Sequence, residues 1–283
     1  MAGRAAPTAR RSRLGAELRR LRRRAGLTTT QAAGLLGTSP GQLSNMEVAR
    51  FGVSAERVRV AASAYSCTDQ ALIEALVAMT GDRRRGWWEE YRETLPPELL
   101  DLAEVEHHGT ALYAAHSIHL PGLLQTVDHA RELHRQAVPE ISPPEIEDRV
   151  TYQARRQAAL YGNRSVPYRA FIHEAALRMR FGGPAVVRAQ LLHLLEASEA
   201  DHVTVRVIPF EATYYPGPGQ SVHYVQGPVP CLDTVQLDQS HGPLFLDSEA
   251  ELTHYRLLLE RLDDAALGME ESRDLIHGIA RSV

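Results

Sequence analysis

Three features of this 283-residue chain predict an α+β protein: an all-α unit of five helices in front, then a larger unit with a small sheet flanked by helices. Apolar residues recur every three or four positions through the first eighty residues, the spacing of amphipathic helices. Val203, Val205 and Val207 alternate with Thr204 and Arg206, the period of a half-buried strand. The charge also changes along the chain. Residues 1–60 hold twelve arginines against Glu17, Glu47 and Glu56, yet the whole chain carries a net charge of −4, so the remainder is strongly acidic. The length accommodates about two domains of roughly 100–200 residues. The boundaries read as a helical domain over 12–80, a linker or connecting helix over 81–96, and an α+β domain over 97–283.

The elements follow in order. Residues 1–11 are small, polar and basic and read as an arm that adds phosphate contacts. A first helix over 12–25 turns Leu14, Leu18 and Leu21 inward, while Arg19, Arg20, Arg22, Arg23 and Arg24 cover its remaining surface. Gly26-Leu27 ends it. Thr28 or Thr29 caps a second helix, because a hydroxyl accepts from the orphan amides of a helix start. Ala32, Ala33, Leu35 and Leu36 form its apolar side, and Gly37 supplies the positive φ of a tight turn. Ser39-Pro40 is a cap followed by proline at the first helical position. Leu43 and Met46 then face inward, leaving Gly41, Gln42, Ser44 and Asn45 outside. Val53-Ser54 opens a fourth helix with Val58, Ala61, Ala62 and Tyr65. Asp69 caps a fifth with Leu72, Ile73, Leu76 and Val77. Arg83 to Gly86 reads as a linker. Trp87, Trp88 and Tyr91 follow on a helix, packing at the domain seam or in the second core; an aromatic dimer or partner surface is the alternative.

The second half mixes periods. A strand is expected over Ala111–Ile118, then a helix beginning in Leu120–Thr126 and another from Pro144 to about Leu160. Tyr168–His173 reads as a strand running into a helix over Glu174–Arg180. A further helix spans Pro184–Glu199, and two more strands fall at 221–226 and 233–239, between loops dense in proline and glycine. Ser248 to Glu251 is a capping box opening a helix with Leu252, Tyr255, Leu258, Leu259 and Leu262. A last helix starts near Glu270.

Small and amide side chains on the outer face of the second of two short helices suit a DNA major groove: a helix start favours phosphate, and an amide pairs two-fold with a base edge. The stretch Thr28–Arg50, TTTQAAGLLGTSPGQLSNMEVAR, resembles the helix-turn-helix of phage-repressor (XRE-type) regulators, and the resemblance extends from Ser12 to Met79. It implies a phosphate contact at Thr29, outward recognition positions at Pro40, Gly41, Gln42, Ser44 and Asn45, a phosphate contact at Arg50, and a structural ion pair between Arg22 and Glu47. Ala49 stands where that family usually has glycine, so the turn after the third helix is expected to differ. With Pro40 and Gly41 short of reach, base readout would rest on Gln42, Ser44 and Asn45.

The second half also carries a resemblance. LPGLLQT (Leu120–Thr126), ARRQAAL (Ala154–Leu160), HEAALR (His173–Arg178), GGPAVVRAQLLHLL (Gly182–Leu195), VTVRVIPF (Val203–Phe210) and AALGMEESRDLI (Ala265–Ile276) are similar to the C-terminal domain of unknown function in actinobacterial, WhiJ-like XRE-type regulators. What this implies is a cytoplasmic transcriptional regulator, often encoded beside a small partner protein and sometimes antitoxin-like; some act in development or antibiotic production. Two departures stand out. Thr213, Tyr214 and Tyr215 replace a usual Gly-x-His turn, and Gln236-Leu237-Asp238 replaces a Tyr-x-Glu strand.

Other chemistry is sparse. Every basic residue is arginine, which fits a GC-rich genome. Cys67 and Cys231 lie far apart, one in each unit, as in a reduced cytosolic chain. No apolar run reaches the roughly 20 residues of a membrane span, and the basic N-terminus lacks the apolar core of an export signal. His107, His108, His116, His119, His129 and His134 invite a metal reading, but no cysteine lies near and no closed-site spacing recurs, so surface and interfacial histidines are expected. His173-Glu174 could serve acid–base chemistry, but without a nucleophile or phosphate-binding glycine loop the pair reads as a strand-to-helix junction. Arg155 and Arg156 read as a solvated helix face, with anion capture as the alternative. Tyr214 and Tyr215 form a candidate ligand lid or partner contact. The expectation is a non-enzymatic, cofactor-free regulator that binds double-stranded DNA as a homodimer. Its second domain would sense a small molecule or a protein. The alternative is an antitoxin-like module that holds a small neighbour-encoded partner and binds DNA for autoregulation.

Overall fold

The structure, a computed structural model, describes residues 7–80, 86–162, 165–217, 219–239 and 242–283. Arg4 of the basic arm and the Arg83–Arg85 run lie outside them. The chain divides into two compact units, residues 1–89 with 228–230, and residues 90–227 with 231–283.

Among its described residues the first unit holds five α-helices: α1 (Ala9–Arg24), α2 (Thr29–Leu35), α3 (Pro40–Glu47), α4 (Ala55–Ala64) and α5 (Gln70–Ala78). Each start has a side-chain cap, from Thr8, Thr28, Ser39, Ser54 and Asp69. In α2 and α3 the cap is reciprocal, with Gln31 and Gln42 reaching back to the amides of Thr28 and Ser39. The first four helices end alike. In each, the amide two residues past the C-cap bonds back to a carbonyl in the last turn (Leu27 to Arg22, Thr38 to Ala33, Arg50 to Asn45, Cys67 to Ala62). That closure places Gly26, Gly37, Ala49 and Ser66 at positive φ. The turn after α3 therefore keeps the glycine geometry although the residue is alanine, against the expectation that it would differ. One side-chain expectation fails: Leu35 is 59 % exposed, and Leu36 fills the core in its place. Trp87 to Tyr91 form a 3-10 turn rather than an α-helix.

The second unit is built on a six-stranded sheet. Its elements are α6 (Pro97–His108), β1 (Ala111–His116), α7 (Val127–His134), α8 (Pro143–Arg156), α9 (Ala158–Tyr161), β2 (Tyr168–His173), α10 (Glu174–Arg178), α11 (Gly183–Ala197), β3 (Val203–Ile208), β4 (Val222–Gln226), β5 (Thr234–Leu237), β6 (Leu244–Leu246), α12 (Glu249–Ala265) and α13 (Met269–Ser282). Strand order is β3-β2-β1-β4-β5-β6. The first three strands are parallel, joined through helices; β4, β5 and β6 add antiparallel. The direction of the sheet therefore changes between β1 and β4. One face (Leu112, Ala114, Ala170, Ile172, Val205, Val207) packs on α11 and α13. The other (Ala115, Phe171, Ile208, Val222, Tyr224) packs on α12 through Leu252, Leu258, Leu259 and Leu262.

The helix expected to begin in Leu120–Thr126 does not. That segment makes a 3-10 turn at Gly122–Leu124, and the helix starts only at Val127. Buried amides replace helical bonds there. Gln125 donates to Leu120 O, Gln153 to Gly122 O, Gln157 to Gln125 O and Gln190 to Leu124 O. The long helix expected to Leu160 breaks at Gln157, and β6 was not anticipated.

Candidate functional site

In the first unit, α3 is held on α1 by two contacts. At Gly15 the helices nearly touch: a Cβ there would lie 2.7 and 2.8 Å from the carbonyl oxygens of Glu47 and Met46. Two turns on, Arg22 clasps the Glu47 carboxylate with Nε and Nη2, at 2.5 and 2.8 Å, and donates Nη1 to Leu27 O. The hydrogen bond with Glu47 raises the Arg22 pKa, against the opposing effect of burial. With Leu43 and Met46 buried, α3 turns Pro40, Gly41, Gln42 and Ser44 to solvent and leaves Asn45 half-exposed. Arg50 follows, exposed, with Nη1 3.4 Å from Asn45 Oδ1. Thr29 is the half-exposed first residue of α2. The structure thus brings Gln42, Ser44, Asn45 and Arg50 onto one short stretch, but it divides their roles. Gln42 Oε1 already accepts from Ser39 N and Thr38 Oγ1. Two-fold pairing of Gln42 with a base would cost the helix the return half of its capping box, which leaves Asn45 as the amide freer to read a base edge.

The second unit carries its unusual chemistry at the carboxyl end of β1, where the sheet changes direction. In open α/β sheets such an end forms a natural crevice. On the α12 side a cavity of about 60 Å³ is lined by Tyr215, Gln220, His254 and Tyr255 over a floor that includes Ala115, Val222 and Leu258. Ser117 Oγ donates to Gly219 O and pins its loop. Burial raises the Tyr215 phenol, and a hydrogen bond with Ser117 opposes it. Tyr214 does not line this cavity; it is exposed, and its hydroxyl donates to Arg261 O.

On the opposite face lies a buried polar cluster. His116 and His223 meet edge to face, ring centroids 4.9 Å apart, and His223 Nε2 lies 3.9 Å from Asp238 Oδ2. Gln236 Nε2 donates to Asp238 Oδ1. Phe181 packs on His119 and His129. Among the described residues, neither ring nitrogen of His116 or of His129, all buried, has a hydrogen-bond partner. Burial pushes His129 down to about 4 and His116 lower still, each helped by a neighbouring histidine. The expectation of surface histidines fails for these two, which are 4 % and 2 % exposed. Among the described residues, no group of three or more His, Cys, Asp or Glu side chains could hold a metal ion.

Arg156 is likewise not on a solvated face. It is buried in a two-pronged pair with Glu106, 2.8 and 2.5 Å. Burial disfavours its charge, but Glu106 more than offsets this and holds the guanidinium above its ordinary value. Arg155 pairs with Glu90. Each guanidinium holds a carboxylate, Arg156 in the interior and Arg155 at the surface. His173 caps α10, its Nδ1 accepting from Ala175 N, while Glu174 accepts from Phe210 N and pairs with Arg178.

Residues 13–76 match a helix-turn-helix domain family, and residues 99–278 match a domain of unknown function, DUF5753. The chain belongs to the DUF5753 family. Comparison with curated proteins and with solved structures returned no match. The front unit is a DNA-binding helix-turn-helix domain, so this DUF5753 protein is a helix-turn-helix regulator. No helix among the described residues is long and apolar enough to cross a membrane. The two departures noted in the sequence both sit at the carboxyl end of β1, on opposite faces of the sheet. Tyr215 borders the cavity, and Gln236 and Asp238 border the histidine cluster. The pairing of His116 with His223 and the Gln125–Gln153–Gln190 network were missed from sequence. The signal for the histidines was present in the alternation of β1 and β4, which puts His116 and His223 on the same face as Ala114 and Val225.

Proposed function

We propose that this protein is a sequence-specific transcriptional regulator of the XRE type, WhiJ-like and actinobacterial, acting in the cytoplasm as a homodimer without catalytic activity. The observation that carries the reading is α3: a short, doubly capped helix seated on α1, with Ser44 and Asn45 outward and Arg50 at its end. Asn45 and Ser44 read base edges; Thr29 and Arg50 hold phosphates. Paired half-sites would multiply affinity and specificity, which is the reason for a dimer. The DUF5753 domain biases this binding through an effector, with the Tyr215 loop as its contact. To change affinity, the effector must bind one arrangement of the DNA-binding heads better than another.

The test is fluorescence anisotropy on DNA from the protein's own upstream region against scrambled DNA. Asn45→Ala should lower the specific-to-scrambled ratio, and Arg50→Ala should weaken both alike. Loss of neither sinks the assignment.

A second reading, an antitoxin-like module holding a small neighbour-encoded protein, draws support from the cavity's size. At about 60 Å³ it is far below the roughly 300–1,000 Å³ of small-molecule pockets. One inserted side chain suits it better than a metabolite, and Tyr214 and Leu257 are exposed. Co-expression with the adjacent small gene product separates the readings: a stoichiometric complex lost on Tyr215→Ala favours the partner, whereas no complex favours a small effector.

A further inference from the structure

We infer that Arg19 and Arg23, the outward stripe of α1, form a second phosphate-binding contact beside the recognition helix, gripping DNA backbone that α3 does not reach. This rests on the DNA-binding reading and extends it to residues outside the helix-turn-helix itself.

The structure sorts the arginines of α1 into two kinds. Arg13 and Arg20 share the buried carboxylate of Glu17, and Arg22 holds Glu47. Glu17 is the one acid on α1, so nothing on that helix remains to balance the others. Arg19, Arg23 and Arg24 are exposed, and none makes an ion pair or side-chain hydrogen bond among the described residues. A stripe meant only for solvation interleaves acids and bases at four-residue spacing, because such pairs support the helix. Here Arg19 and Arg23 are themselves four apart and repel. Helix stability does not explain that pair; a polyanion does.

Position supplies the second argument. Gly15 touches the backbone of Met46 and Glu47, and Arg22 grips the Glu47 side chain. Arg19 stands one turn beyond Gly15 and one turn before Arg22, on the solvent side of the seam between α1 and α3. Arg23 stands one turn further along the same side. On α3, Glu47 lies one turn from Ser44, so the seam borders the outward recognition face. A guanidinium fork fits phosphate oxygens with two parallel hydrogen bonds, and free arginines at that border are placed for it. Arg24 is equally exposed but lies on the Arg20 side of α1, and so serves as an internal control.

The experiment measures full-length protein binding to its own upstream DNA and to scrambled DNA over a salt series. It compares wild type with Arg19→Ala/Arg23→Ala, Arg24→Ala and Asn45→Ala. Each phosphate contact contributes roughly 0.9 to the slope of log K against log salt. The double variant should therefore flatten the slope by about two contacts' worth, weaken both DNAs by the same factor, leave the specific-to-scrambled ratio unchanged, and hold or slightly raise the thermal midpoint as the repulsion is relieved. Arg24→Ala should leave the slope near wild type. An unchanged slope in the double variant overturns the inference, as does an equal loss in Arg24→Ala, which would mean general attraction rather than a contact. If Asn45→Ala still lowers the ratio in that case, the DNA-binding reading survives alone. If wild type binds neither DNA, both fall.

Discussion

Acid should unfold the DUF5753 domain through two histidines. His116 and His129 are buried and neutral, and each is held well below its ordinary value, His129 at about 4. In the unfolded chain both return to about 6.5. Between these values the unfolded state binds protons that the folded state refuses, so stability rises with pH there and falls as acid is added. Above pH 7 the pair costs nothing. From pH 7 to pH 5, each histidine gives the unfolded state close to 2 kcal/mol, so the two together remove about 4 kcal/mol. That is a large part of the roughly 5–15 kcal/mol that holds a domain folded. The assay is urea unfolding of the full chain, followed by far-ultraviolet circular dichroism at pH 7 and pH 5. The transition of the second unit should lose at least about 4 kcal/mol in wild type. A His116→Gln/His129→Gln variant, whatever its stability at pH 7, should lose about 4 kcal/mol less than wild type between the same two values; burial still holds its His119, His134 and His223 below their ordinary values, so some acid loss remains. Equal acid losses in the two proteins would refute the argument, because glutamine does not titrate.

Four further outcomes follow from packing and pairing. Gly15→Ala should destabilise the first unit by about 1–3 kcal/mol, since the new methyl meets backbone carbonyls that cannot swing aside. Gly34→Ala, where a Cβ meets nothing within 4 Å, should stabilise it by about 0.5–1 kcal/mol; paired thermal melts read both signs. Arg156→Met should cost about 3–5 kcal/mol by leaving the Glu106 carboxylate buried alone, and Arg156→Met/Glu106→Met should recover much of that loss in a double-mutant cycle. Ala49→Gly should raise the midpoint of the first unit slightly, because alanine at positive φ costs about 1–2 kcal/mol, of which the lost buried methyl takes back part. Ala49→Val should lower it clearly.

The first unit was largely legible because its signals are local. Caps at Thr28, Ser39, Ser54 and Asp69 and glycines at 26 and 37 act within a few residues, and the core spacing of Leu14, Leu18 and Leu21 is a one-helix pattern. What escaped was what one side chain does when two uses compete. Gln42 reads from sequence as an outward amide and is in fact the partner of the Ser39 cap. Leu35 and Leu36 are neighbours of equal hydrophobicity, and only the packed helix decides which is inside.

In the second unit two of the errors share a cause. Helix and solvated arginine were each the locally favoured state of a polar or mixed stretch, and each was overridden by partners far along the chain. Gly122–Gln125 gives up helical bonding because Gln153 and Gln190, 31 and 66 residues away, satisfy its carbonyls. Arg156 leaves solvent because Glu106, 50 residues earlier, neutralises it. A buried polar group is tolerated only when its partners are in place, so these residues bury together or not at all. The histidines differ in kind. Gln125, Gln153 and Gln190 are satisfied within the fold, whereas His116 and His129 are not, though they sit in the same layer beneath the sheet. Paired networks explain why the LPGLLQT segment holds its shape; the unpaired rings beside them make the same layer the part of the domain that acid attacks first.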